Sequence, residues 1–525
     1  MASITQSCDV LVIGDEVESI LTAVSAARAG AKTMLVRRST GQLGGLSVRG
    51  GLSYMDITPE LVTGLFMEFF QRAGMVRVTL NPDLAHQVLT QMLAEAQVEV
   101  FSGVEAQVTL NGEGFPQTAQ LKSVSGTEPE MTAARPSVIM PQVVIDSTPD
   151  ADVARALGVP FLTGLGGLLG QDQNFLGVSP VFRITGIPVG GFRAFEAELR
   201  KNPRLPLILE KALPYHPPEL RAEYINRPTY APPEYDYLDI LNPVIGIDYH
   251  IWRYGTPSTY PTAPIAIDGA NTARLSDKSL GFNGMVARAD ALGFPPDRIF
   301  EGLISLSQGG PIPGPLMDEM GLFEQYLREE GRFKKARIIP PKELYVRQTL
   351  TLLSRQNMTA RQAIAGGVVP EKAIGTFSYW LDLRGAQLWK HFPNEELPKP
   401  VFNVGLDVGL PLSPQLQNFA FVSRAAGYSP IGQGTGRIVQ HNSMLGEGMG
   451  IAAALAALTQ TPLSSVADHA MPQIQAILAQ RRDGQFRLSG APTWSAEQME
   501  ASILLRHDAE AVAALRASAT ELSLL

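Results

Sequence analysis

The sequence predicts an α/β fold, and three observations carry that prediction. An apolar, β-branched run opens the chain, a segment of three- and four-residue apolar spacing follows it, and a second buried-strand pattern comes next. Asp9-Val10-Leu11-Val12-Ile13 is the first strand, ending at Gly14. From Val17 to Gly30 the residues Val17, Ile20, Leu21, Val24 and Ala27 share one helical face, and Gly30 closes the segment as a C-terminal glycine should. Ala31 to Val36 repeats the strand pattern. Strand, turn, helix and strand in this order make a parallel βαβ unit, because parallel neighbours need a crossover between them. With 525 residues the chain exceeds one hydrophobic core and calls for two or three domains.

Composition narrows the function classes. Apolar residues make up 45% and charged residues 18%, with 49 glycines and 39 prolines, which suits packed, turn-rich structure and not disorder. A net charge of −8 argues against a broad nucleic-acid surface, which needs clustered positive charge. Cys8 is the only cysteine, so this chain alone builds no disulfide, no CxxC pair and no cysteine-ligated iron–sulfur cluster. Cys8 itself reads as a small core residue, and electron chemistry would need a bound organic cofactor. The seven histidines are scattered without metal-ligand spacing, so no metal site is expected. No apolar run is long enough for a membrane span, and Met1 to Asp9 lacks a signal-peptide pattern, which makes the cytoplasm the expected location. Neither a Gly-x-Ser-x-Gly elbow nor a Walker lysine is present.

The turn after the first strand is where a βαβ unit sets a dinucleotide's pyrophosphate against a helix N-terminus. A GxGxxG fingerprint would put glycines at 14, 16 and 19, whereas the chain reads Gly14-Asp15-Glu16-Val17-Glu18-Ser19. Glu16 therefore brings negative charge to the place a negative ligand approaches. The acidic residue that grips an adenosine ribose would fall at Arg37, which Arg38 follows. Two readings of this pair stay open: a guanidinium fork for an extra phosphate, such as the 2′-phosphate of NADP, or a solvated pair offsetting Asp15, Glu16 and Glu18.

Later segments, taken in order, carry a resemblance. Gly41-Gln42-Leu43-Gly44-Gly45-Leu46-Ser47 with Gly50-Gly51, then Val143 to Asp152 (VVIDSTPDAD), then Gly434-Thr435-Gly436-Arg437, and then Leu445-Gly446-Glu447-Gly448-Met449-Gly450 with the alanines after it are the motifs concerned. They resemble those of FAD-dependent oxidoreductases of the glutathione-reductase-like class over about residues 7–160 and 340–460, with Tyr345 to Thr349 and Ser378 to Asp382 as intervening strands. Pro149 stands where that class has glycine. The resemblance implies a Rossmann-like FAD/NAD(P)-binding domain made of residues 1–164 and 400–460, an inserted α+β cap or substrate domain at 165–399, and a helical C-terminal segment at 461–525. It implies FAD contacts from Gly14, Val17, Glu18, Arg37, Arg38, Gly44, Gly45, Leu46, Thr148, Gly434, Arg437, Gly446, Glu447, Gly448, Met449 and Gly450, the last five as a glycine-rich turn opening a helix.

Within the expected cap, proline, tyrosine and glycine crowd Leu205 to Pro264, including Tyr215 to Pro218 and Pro232 to Tyr237, so this stretch is irregular. Helical pieces are expected near Asn283 to Leu292 and Leu322 to Arg332, and in the tail around Ile474–Arg481, Ala496–Leu505 and Ala509–Leu522. His441 reads either as a residue near the flavin or as a core histidine. Arg49 and Tyr54 read as an anion binder and a proton donor, with a structural ion pair as the alternative for Arg49. The function that follows is an FAD-dependent oxidoreductase moving hydride between flavin and an unknown small organic substrate. Two alternatives stand beside it: a flavin-less descendant acting as a binding or structural protein, motivated by Glu16, Ser19, Arg37 and Pro149, and a nicotinamide-linked enzyme using Arg37 and Arg38.

Overall fold

The computed structural model describes the chain except for residues 1–4, 56–60, 62, 75–78, 125–135, 169–173, 214–220, 223–236, 240–243, 259–262, 277–278, 387–396, 483–487 and 524–525. The expected irregular stretches at Tyr215–Pro218 and at 232–236 lie outside the described residues.

The opening apolar run sits inside β1 (Thr5–Ile13), which leads into α1 (Val17–Arg28) and β2 (Thr33–Arg37); β3 (Glu99–Ser102), β4 (Val104–Leu110), β5 (Pro116–Ser123) and β6 (Val138–Asp146) follow. They form one sheet in the order β3-β2-β1-β6-β5-β4, parallel from β3 through β6 and antiparallel in the β4-β5-β6 meander. Val10, Leu11 and Val12 are fully buried on both faces of this sheet, which is why the run is continuous and does not alternate. The sheet is completed from far along the chain. A closing strand, Phe419–Phe421, pairs in parallel with Val144 to Asp146 at the end of β6.

Val17, Ile20, Leu21 and Val24 on α1 are all fully buried, each burial being worth about 1.5–3 kcal/mol. Part of that face meets a closing helix, Val439–Thr459, which crosses α1 at close range. Glycine permits the approach: a Cβ at Gly446 would lie 2.1 Å from the Thr22 hydroxyl, and one at Gly450 would lie 2.6 Å from the Thr22 carbonyl oxygen. The same hydrophobic core takes in residues from Leu350 to Phe377 and from Leu463 to Leu478, stretches expected in the insertion and the tail.

A second core is built on an antiparallel sheet of the strands Val178–Ser179, Phe182–Thr185, Tyr237–Asp239, Ile265–Ser276, Ser279–Ala287, Arg337–Ile339 and Tyr345–Val346. Aromatic side chains fill it, among them Phe182, Phe282, Phe323, Tyr249 and Tyr326. The helix expected near Asn283 to Leu292 is instead the end of the strand Ser279–Ala287, followed by one short 3-10 turn at Ala289–Ala291. Hairpin pairing with Ile265–Ser276 overrides the local pattern, because it buries every residue from Leu280 to Ala287. The helix expected at Leu322 to Arg332 is the second half of Gly314–Glu329. In the tail, helices occupy Met471–Arg481, Ala496–Ala501 and Ile503–Ser523. Among the described residues no single helix is long and apolar enough to cross a membrane; the pair Val439–Thr459 and Leu463–His469 passes by composition together, but it is bent by 113°.

Candidate functional site

In an open parallel sheet, ligands bind outside the carboxyl ends of the strands where the chain reverses its direction of travel across the sheet. Here that place is next to β1, between β2 and β6, and a cavity of about 730 Å3 lies there. This volume is within the roughly 300–1,000 Å3 typical of ligand pockets. Gly14 to Glu16 form its floor, Val36 and Arg38 to Thr40 one side, Thr148 to Asp150 with Asp152 and Val153 the other, and β4 residues Val104 to Val108 an outer wall. Ser307, Gln308, Lys342 and Glu343 also line it, and Gln308 donates to Asp152 at 3.2 Å.

The turn Gly14 to Ser19 is held by contacts that its own substitutions create. Gly14 runs with φ +155°, and a Cβ there would lie 2.3 Å from the Ser147 carbonyl oxygen, so this glycine is needed to bring the ends of β1 and β6 together. Ser19, at the third fingerprint position, donates to that carbonyl at 3.0 Å and accepts from the Ser147 hydroxyl at 2.8 Å. Glu16 caps α1 and reaches across to the next loop, where its carboxylate accepts the Leu46 N–H at 2.8 Å. A Cβ at Gly45 would lie 2.2 Å from that carboxyl, so the glycine pair at 44–45 closes directly over it.

Asp15 faces the other way. It pairs with Arg49 at 2.7 Å and with Arg37 at 3.4 Å, while Arg49 also pairs with Glu343 at 2.5 Å. Burial sets the protonation of this group of acids. It pushes Asp15 up to about 6 against the pull of Arg49 and Arg37. Burial and then Glu343 push Glu16 up to about 7, against Arg49. Burial and then Glu16 push Glu18 up to about 8. Behind the floor, the Asp146 carboxylate accepts from the Thr148 N–H and hydroxyl and from the Ala154 N–H, which folds the segment after β6 back on itself. Asp150 is buried and held by Arg424 and the Thr349 hydroxyl, both at 2.7 Å.

A second, smaller cavity of about 70 Å3 opens where the inserted sheet meets the segment after Gly51 and the start of the closing helix. Tyr54, Asn283, Arg347, Asp382, Arg384 and Gln440 are on its wall. Asp382 pairs with Arg437 at 2.6 Å, and Arg437 also donates to the Tyr345 hydroxyl.

Residues 9–478 match the family described as FAD dependent oxidoreductase. The chain belongs to the FAD-dependent oxidoreductase family. FAD is the cofactor that membership assigns to it. No curated protein matches the chain in sequence. Among solved structures it is similar to a geranylgeranyl bacteriochlorophyll reductase-like protein of Thermoplasma acidophilum, at 12% identity over 99% of this chain and 100% of that one, with a TM-score of 0.40. It is similar also to the p-nitrophenol 4-monooxygenase PnpA of Pseudomonas putida, at 10% identity over 99% and 98% of the two chains, with a TM-score of 0.37.

The residues of this family member would meet FAD differently at the two parts of the site. The large cavity suits an adenosine, with apolar Val104, Val108 and Val153 and polar Arg38, Ser39 and Lys122 around it. At the pyrophosphate position the chain supplies its own anion, since Glu16 already accepts the Leu46 N–H. A pyrophosphate fits there only when Glu16 gives up that bond.

Of the contacts the resemblance implies, Gly14, Arg38 and Thr148 line the large cavity, as do Arg49 and Pro149. Gly44, Gly45 and Leu46 stand behind Glu16. Val17 and Glu18 are buried within α1. Arg37 is not available as a phosphate fork: it is buried and donates to the carbonyls of Ser39 and Gly41, and Arg38 pairs with Glu105 at 2.6 Å. Gly434 packs against Asp382, beside Arg437. The expected turn at Gly446 to Gly450 is a correction. Helix Val439–Thr459 begins well before it, so Gly446, Gly448, Met449 and Gly450 are interior positions serving close packing, and Glu447 is buried in an ion pair with Arg482 at 2.8 Å. The reason is that Ile438 starts the helix before the glycines are reached. His441 lies in the core against Phe377, Phe402 and Tyr428, with burial pushing it down to about 3, so it is neutral. Arg347, Arg384 and Glu343 were not among the candidates. Arg347 sits in the noted Tyr345–Thr349 segment, where the signal was a charged residue in an otherwise buried strand.

Proposed function

We propose that the protein is an oxidoreductase that moves hydride between FAD and a small organic substrate, in a cytoplasmic setting. The observation that supports it most is the 730 Å3 cavity outside the ends of β1, β2 and β6, at the point of the sheet where dinucleotides bind. Bound flavin supplies the hydride-accepting ring, and the protein supplies position and a dry surrounding. Val104, Val108 and Val153 give the adenine apolar walls, and Arg38 and Ser39 stand at the polar edge. Glu16 takes or releases a proton at its carboxyl as the Leu46 N–H changes acceptor. The inserted segment, through Gln308 on Asp152 and Glu343 on Arg49, covers the cavity and ties the two cores together.

The test is the visible spectrum of the purified protein. Flavin absorption with stoichiometric FAD released on denaturation is the expected result; a colourless protein that cannot be reconstituted overturns the proposal. One observation favours a second reading, a flavin-less binding protein: the Glu16 carboxylate on the Leu46 N–H, which satisfies the turn without a cofactor. A nicotinamide-linked enzyme using Arg37 and Arg38 has no such support, because both guanidinium groups are already paired.

A further inference from the structure

The smaller cavity is a buried cationic site. Arg347 is fully buried, donates to the Gly177 carbonyl at 3.0 Å and to the Ser179 hydroxyl at 2.9 Å, and lies 4.5 Å over the Tyr345 ring. Among the described residues no carboxylate pairs with it, and its Nε has no partner. Arg437 beside it also carries an unpartnered Nε. Arg347 and Arg384 line the cavity with Asp382, which Arg437 pairs at 2.6 Å, and Arg384 pairs with Asp268 at 3.4 Å. A buried guanidinium with no paired carboxylate, such as that of Arg347, is costly unless an anion compensates it. Burial, with Arg437 and Arg384 adding to it, pushes Arg347 down to about 10, while the three arginines outweigh burial and hold the Asp382 carboxyl below the usual carboxylate range.

Two further features point the same way. Val439 and Gln440, the first residues of a 21-residue helix, line the cavity, and no side chain caps that helix at Ile438. Its free N–H groups and dipole add positive potential. Asn283 Oδ1 and Gln440 Oε1, both from residues on the cavity wall, are buried acceptors with no donor. An anion alone leaves both unsatisfied; a ligand that also carries an O–H donates to one of them. The volume of about 70 Å3 holds a ligand of a few heavy atoms, since one water needs only about 10–15 Å3.

We propose that this cavity seats a small hydroxy acid, its carboxylate on Arg347, Arg384 and the start of the closing helix, its hydroxyl donating to Asn283 Oδ1. Calling that ligand the substrate rests on the oxidoreductase reading above; the binding itself does not.

The experiment titrates the purified protein with lactate, propionate, inorganic phosphate and chloride at equal ionic strength, by calorimetry and thermal shift, beside its visible spectrum. Lactate is expected to bind at least ten-fold more tightly than propionate, with phosphate and chloride giving no saturable signal. Arg347→Gln is expected to weaken lactate binding ten-fold or more. Arg384→Gln, at a partly exposed position, is expected to weaken it several-fold, and covers the case in which Arg347→Gln does not fold. Asn283→Leu is expected to erase the preference for lactate over propionate. Lactate binding no better than chloride, phosphate binding as tightly as lactate, or lactate affinity unchanged in Arg384→Gln overturns the proposal. A colourless protein that still binds lactate would overturn the oxidoreductase reading and leave the hydroxy-acid seat standing.

Discussion

Glu16→Gly isolates the competition between a side chain and a cofactor. In the wild type the Glu16 carboxylate accepts the Leu46 N–H at 2.8 Å, in the position where the loop would otherwise donate to pyrophosphate. A hydrogen bond to a charged group is worth about 1.5–3 kcal/mol, and each 1.4 kcal/mol is about a ten-fold change in Kd. Removing the carboxylate is therefore expected to tighten FAD binding by about ten- to one-hundred-fold. The backbone permits the change, because Glu16 is extended (φ −77°, ψ 169°) and glycine is an accepted N-cap. The assay is calorimetric titration of FAD into stripped protein, with circular dichroism to confirm folding. The wild type should also bind FAD more tightly as pH falls from about 8 to 6, because Glu16, pushed up to about 7, loses its charge over that range. Glu343, Arg49 and Arg424 are the charges acting on it, its own charge acts on Glu18, and Glu16→Gly should flatten the trend. Equal affinities for a folded variant and the wild type would refute the reasoning.

Three other outcomes are expected. Glu18, pushed up to about 8 by burial, holds a proton in the folded chain that the unfolded chain releases near its ordinary value of about 4.3; its contribution is complete below that value and is lost as pH rises through about 8, so urea midpoints should fall between about pH 4.3 and 8 and Glu18→Gln should reduce the slope. Gly450→Ala puts a methyl 2.6 Å from the Thr22 carbonyl oxygen and should cost about 1–3 kcal/mol by overpacking, read as a lower denaturation midpoint with unchanged m-value. Glu447→Ala removes the carboxylate that pairs with buried Arg482 and should cost about 3–5 kcal/mol, most of which the double variant with Arg482→Met should recover.

The βαβ opening is legible in the sequence because its signal is local: Val10 to Ile13 and the spaced apolar face of α1 need no distant partner to be recognised. The strand at Ser279–Ala287 is not, since Asn283 to Leu292 looks helical until the hairpin with Ile265–Ser276 is known. The departures from the dinucleotide fingerprint are visible one by one, but their mutual relations are not. That Arg37 answers Asp15, and that Ser19 answers Ser147, depends on contacts between residues far apart in the chain. The glycines at 446 and 450 show the same limit: their spacing reads equally as an anion-binding turn or as a groove for a neighbouring helix, and only the start of the helix at Val439 decides. Arg347 is hidden for a different reason, because burial and a missing counter-charge are properties of the assembled interior.

The closing strand, Phe419–Phe421, has a consequence for how the protein is made. Until it emerges from the ribosome, the outer edge of β6 at Val144 to Asp146 has no neighbour, although the strands beside it are synthesised within the first third of the chain. Such a bare edge can recruit a wrong strand, and pairing across so many intervening residues is slow to form. Nascent chains arrested before Phe419 should therefore depend on chaperones far more than finished ones, and a truncation removing that strand should aggregate even when every residue of β1 to β6 is present.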